Sequence, residues 1–316
     1  MLPGISSIFS WQYPVAEKLV LSAFSHGSLK YIFMLHDVSG NLSTIKKPAR
    51  PIDEVIDRME KLIEKCISTK SRLGYFASLY HKVTVRVREG IDNNEFEDNE
   101  RMEKFDVLFA SRYLDAIDAI EQGGQVTGSW QVAIDSSKKL SVVILQHLLM
   151  GMNAHINLDL GIAAAEVTRG GDIQQIRKDF NTINSILGSL VFEILNQLNK
   201  VSPLLSLFGL SANNDSLLIQ FSLINARDGA WNFAEDLHLK QGEEIQTCIA
   251  ARDETIKKLG LSLITSKGLL LRVTRWFVWL FEWKRPARVI SVLFHSEKKY
   301  LTETNGKIVV SSKHNV

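Results

Sequence analysis

The sequence is poor in cysteine and proline and has almost no imbalance of charge. Only two of its 316 residues are cysteine, Cys66 and Cys248, which gives no disulfide framework and no zinc-ligand spacing. A reducing, cytoplasmic setting is expected, because the N-terminus also lacks a basic stretch followed by an unbroken apolar run of the secretory kind. The formal net charge is +2, which implies no broad footprint for nucleic acid. There is no phosphate-binding loop, no dinucleotide-binding glycine pattern and no serine nucleophile elbow, so nucleotide-dependent chemistry is disfavoured.

The scarcity of proline says most about the fold. Pro3, Pro14, Pro48 and Pro51 precede a proline-free stretch from Ile52 to Ser202, and only Pro203 and Pro286 follow. Helix interiors exclude proline, which lacks the N–H and crowds the preceding turn. Together with helical spacing of apolar residues, this predicts an all-α fold: one multi-helix bundle of seven or eight helices around a buried central helix. Residues 1–47 keep no helical period and read as an N-terminal extension with a hairpin at Tyr31 to Ile45. Residues 48–297 form the helical domain, and residues 298–316 a polar, loosely held tail.

Within that domain Ile52, Val55, Ile56, Met59, Leu62 and Ile63 mark a first helix, with Asp53 and Glu54 in its first turn. The next segment is ambiguous, since Val83, Val85 and Val87 alternate as in a strand, while Phe76, Tyr80, Val83, Val87 and Ile91 fit a helix. Its helical neighbours favour the helix. An acidic loop, Asp92 to Glu100, leads to a third helix carrying Phe105, Leu108, Phe109, Tyr113 and Ile117 and ending at Gly123 and Gly124.

The chain is organised around Leu140 to Ala165, LSVVILQHLLMGMNAHINLDLGIAAA. Between Lys139 and Glu166 it bears one formal charge, Asp159. A carboxylate in so apolar a segment must be paired, hydrogen-bonded, metal-bound or protonated, because stranding it costs several kcal/mol. At roughly 100° per residue, His147, Gly151, His155 and Asp159 form one column, while Gln146, Asn153 and Asn157 lie on nearly the opposite side. A helix apolar around most of its surface suits a central position, and its polar groups argue against a membrane span. The next helix, Ile173 to Val201, turns back antiparallel and brings Asp179 to about the level of Asp159.

RMEKL at Arg58, YHKVT at Tyr80, FDVLFASRYLDAIDA at Phe105, LQHLLMGMNAHINLDLGIA at Leu145, KDFNTIN at Lys178 and ARDGAW at Ala226 resemble the bacterial family catalogued as domain of unknown function 5995. The likeness runs from about Pro51 to Leu263. It implies a helical domain and carries no mechanism.

Two functional readings remain open. In the first, an enzyme of the metal-dependent hydrolase kind uses His155 and Asp159 for catalysis, with His147, His155, Asp159 and Asp179 holding a divalent metal ion. In the second, a non-catalytic binding or scaffold protein closes those groups into a structural network. There Asp159 takes a hydrogen bond from His155 or pairs with a buried arginine such as Arg112 or Arg227. Asn153, Asp106, Arg112 and Tyr113 are further candidates to face a small-molecule ligand, and Arg227 with Trp231 makes an i, i+4 cation-π pair. In the last helix, Leu269 to Lys284, Trp276, Trp279 and Trp283 share a face. Core packing is the expected role of that stripe, with a membrane surface or a second copy of the chain as alternatives.

Overall fold

The structure, a computed structural model, describes residues 50–208, 223–265, 269–295, 298–304 and 307–313. The N-terminal extension and the hairpin expected in it lie outside these residues. Helix α1 (Pro51–Thr69) opens with proline at its first position, where the missing N–H costs nothing, and with Asp53 and Glu54 in the first turn. Helix α2 (Leu73–Asp92) runs unbroken through the ambiguous valines. Tertiary burial of Tyr75, Phe76, Tyr80, Val87 and Ile91 on one face decides for helix against strand propensity. Asp98 caps helix α3 (Asn99–Glu121) by accepting from the Arg101 amide. Helix α4 (Gly128–Ser137) follows.

The central stretch is not one regular helix. Helix α5 (Ile144–Ala154) widens into a π-helical turn, His155–Asp159, before helix α6 (Leu160–Val167) resumes. Nearly every residue of it is buried. A short 3-10 turn, Ile173–Ile176, leads into α7 (Arg177–Val201). Helices α8 (Leu223–His238), α9 (Glu243–Ile264), α10 (Leu269–Phe281) and α11 (Pro286–Phe294) complete the helical body. The described residues thus hold eleven α-helices, more than the seven or eight expected, partly because the π turn divides the central stretch.

Three apolar clusters meet around this stretch. One joins α1, α2, α3, α4, α5 and α11 through residues such as Met59, Phe76, Tyr113, Leu148 and Ile290. A second joins α1, α2, α3, α6, α7 and α8 around Phe105, Leu160, Phe180 and Trp231, and a third seats Leu158 and Ile162 against Phe233 and Ile256. In the tail, Lys298–Thr304 (β1) and Lys307–Lys313 (β2) pair as antiparallel strands, in register Lys298 to Lys313. Among the described residues no helix is long and apolar enough to cross a membrane.

Candidate functional site

The two polar stripes of the central stretch face different neighbours. On one side Gln146 donates to the carbonyl of Leu263 and Asn153 to that of Ile256, while Asn157 donates to Asn153, tying α5 and the π turn to α9. Asn153 is therefore a helix-packing residue. The other column packs on α2 and α3. His147 meets the Tyr75 ring edge-on at 5.6 Å, the backbone of Gly151 lies against Phe76, and the His155 and Tyr80 ring centroids are 4.3 Å apart.

Asp159, 1% exposed, receives three donors. Arg112 Nε reaches Oδ1 at 3.0 Å, Trp130 Nε1 reaches Oδ2 at 2.8 Å, and His155 Nδ1 approaches Oδ2 at 3.3 Å. Burial depresses the His155 pKa despite the neighbouring carboxylate, so the ring is neutral. A carboxylate can only accept, so the single ring proton sits on Nδ1 and leaves Nε2 a bare acceptor. The ring is stacked on Phe109 at 3.7 Å, and Nε2 is buried with no hydrogen-bond partner.

His155 also lines an apolar cavity of about 130 Å³. Its walls come from α2, α3, α5, the π turn, α6, α7 and the start of α8, with Val83, Phe109, Leu149 and Met152 among them. Four polar side chains interrupt that wall: Tyr80, Asp106, His155 and Arg227. Each keeps one buried atom without a partner, namely Tyr80 Oη, Asp106 Oδ2, His155 Nε2 and Arg227 Nε. Burial pushes the Asp106 carboxyl up to about 7 and lowers the Arg227 guanidinium to about 9. Most buried polar atoms in proteins find partners, so four wall residues that each keep an orphan atom need an explanation.

The donor set expected to share a metal ion is dispersed, which corrects the sequence reading. His155 and Asp159 are neighbours, but Asp179 accepts from the amides of Glu97 and Asp98 and from Arg101 Nη2 at 2.9 Å, fastening the loop before α3. It meets the start of α3, whereas Asp159 meets Arg112 farther along the same helix. His147 lies beside Tyr75, Arg72 and Glu282, and burial pushes its pKa down to about 3. Among the described residues no three His, Cys, Asp or Glu side chains are grouped to hold a metal ion.

Other candidates changed partners. Arg112 pairs with Asp159, whereas Arg227 donates to the Phe180 carbonyl. The expected Arg227–Trp231 stack is replaced by two contacts between helices, Arg227 over Phe180 and Arg177 over Trp231, each at 4.3 Å. Tyr113 is buried against Phe76 and Trp130, with its hydroxyl unpartnered. Trp130 went unnoticed as a partner of Asp159. The available signal was that a buried indole N–H needs an acceptor and the central stretch offers one carboxylate.

These features define a class: an all-α protein in which a buried, three-donor carboxylate holds a neutral histidine in the wall of an apolar cavity. Residues 52–266 match the model of the Family of unknown function (DUF5995), and the chain belongs to that family. No curated protein and no solved structure matches it.

Proposed function

We propose that the chain binds a small, mostly apolar molecule carrying one hydroxyl or N–H group in the cavity beside His155. One observation carries this reading: an apolar cavity of about 130 Å³ whose wall holds four buried polar groups with unused hydrogen-bonding capacity. An apolar pocket with a few convergent polar groups is the usual form of a small-molecule site. An engineered apolar cavity of about 150 Å³ takes up benzene, which sets the size of ligand. The ligand's hydroxyl donates to His155 Nε2, while Tyr80 and protonated Asp106 act as donors. The network of Asp159, Arg112 and Trp130 holds the imidazole in its acceptor form.

The enzyme reading has one support, the Asp159–His155 pair, which resembles the base half of a catalytic dyad. An imidazole whose pKa burial has lowered is a weak base at neutral pH, so binding is favoured over proton abstraction. The two free cysteines, Cys66 and Cys248, fit a cytoplasmic setting.

Titration with 4-fluorophenol and fluorobenzene, followed by fluorine NMR, tests the proposal. Both should bind, with the phenol about tenfold tighter through its bond to a buried acceptor. Val83→Trp, which fills the cavity, should abolish both. If neither ligand broadens at millimolar concentration, the binding reading is wrong.

A further inference from the structure

Helix α10 turns its apolar residues outward. Leu269, Leu270, Leu271, Val273, Trp276, Phe277, Leu280 and Phe281 are exposed, Leu270 by 79% and Trp276 by 53%, and only Val278 is fully buried. The tryptophan stripe therefore does not pack into the core as expected, and only Trp279 is half-buried. Hydrogen bonds fasten the segment beside the buried Val278. Trp279 Nε1 donates to the Leu140 carbonyl, Arg275 to that of Ile264, and the Trp283 amide to that of Val201. An apolar face of this size on a docked helix marks a surface meant to be covered.

Charge indicates what covers it. From Leu269 to Phe294 the ionisable side chains are Arg272, Arg275, Lys284, Arg285, Arg288 and Glu282. Glu282 is turned inward, accepting from the Ile144 amide and the Ser202 hydroxyl. The outward face thus combines aliphatic and aromatic groups with cations, and Lys284 and Arg288 lie over the rings of Trp279 and Trp283. A second copy related by a two-fold axis would bring cation against cation. Residues 1–48 carry Lys18, Lys30, Lys46 and Lys47 against Glu17 and Asp37, so they offer no complementary charge. An anionic lipid surface satisfies both halves of the face: the acyl boundary takes Leu270, Trp276 and Phe281, and lipid phosphates take the cations.

We infer that α10 and the start of α11 dock the protein on an anionic membrane surface, lying in the interface without crossing it. The surface is separate from the cavity and does not depend on the ligand proposed for it.

Co-sedimentation of the full chain with vesicles tests the inference. Partition into mixed phosphatidylglycerol and phosphatidylcholine vesicles should exceed that into phosphatidylcholine alone by at least about tenfold, given roughly fivefold per basic side chain near an anionic surface. Added salt should weaken it. Trp276→Glu with Phe281→Glu should release the protein, as should the milder Leu269→Ser with Leu270→Ser, while Arg285→Glu with Arg288→Glu should remove the preference for anionic lipid. Equal partition into both vesicle types, or none, overturns the inference. So does concentration-dependent dimerisation that the Trp276→Glu, Phe281→Glu variant abolishes, since a second copy would then be the occupant.

Discussion

Trp130 Nε1 donates to Asp159 Oδ2 at 2.8 Å, and with it α4 is tied to the π turn of the central stretch. The same oxygen receives His155 Nδ1, so the indole and the imidazole share one acceptor while Arg112 takes the other oxygen. Removing the acceptor strands three donors, and removing the indole N–H strands none. Asp159→Ala is therefore expected to cost about 3–5 kcal/mol, the range for breaking a buried pair, and Trp130→Phe only about 1–2 kcal/mol. Urea unfolding of both variants checks the order; equal costs would mean that Asp159 is not the hub.

Asp106 makes the stability pH-dependent. Its carboxyl has an ordinary pKa of 3.8 in the unfolded chain and about 7 in the folded protein. The folded state keeps the proton where the unfolded chain has lost it, so this contribution is complete below 3.8 and is lost as pH rises toward 7. Asp106→Asn should be more stable than the parent at pH 8, by up to about 4 kcal/mol, and nearly equal to it at pH 4. Melting at the two pH values measures this, and a constant difference would rule out a buried titrating carboxyl.

His147 acts in the opposite direction. Burial lowers its pKa from 6.5 to about 3, so the folded state holds it neutral while the unfolded chain takes up a proton. Its contribution is complete above 6.5 and is lost as pH falls toward 3. Between 3.8 and 6.5 the slopes from His147 and Asp106 oppose each other. His147→Gln should therefore make stability fall more steeply as pH rises through that window, and Asp106→Asn should make it rise. Denaturant midpoints measured across the window read both signs; slopes of the same sign would show that one of the two groups is not buried as described.

Much of this was legible in the sequence because it depends on periodicity. Spacing of four placed His155 beside Asp159, and the contrary phase of Gln146 and Asn153 put them on a different neighbour, α9. Even the helical choice for α2 followed from context. Periodicity does not say which distant helix a face meets, so Trp130, 29 residues from Asp159, was missed. Counting turns does not say which neighbour a side chain meets, and Asp179 fastens the loop before α3 and Arg101 at its start, away from Arg112 and Asp159. Trp276 and Trp279 lie on α10 and Trp283 just beyond its end, and a stripe read from spacing looks the same whether it faces a core or solvent. The cavity was invisible because it is a space left by six or more helical segments and belongs to none of them.

One substitution made at two helical glycines separates packing from propensity. Alanine is the better helix former by about 1 kcal/mol, so in open space Gly→Ala should stabilise. Gly229 in α8 offers that space, with nothing nearer to an added Cβ than Arg252 Nη2 at 3.5 Å. Gly161 in α6 does not, since its Cβ would stand 2.6 Å from Phe233 Cδ1 and 2.8 Å from the Ala230 carbonyl oxygen. A backbone oxygen cannot rotate away, so α6 and α8 would have to separate, and overpacking of this kind costs about 1–3 kcal/mol, more than the propensity gain. Gly229→Ala should raise the melting temperature and Gly161→Ala lower it. If both rise together, α6 and α8 do not approach this closely, and the central stretch is not seated against α8 at Gly161.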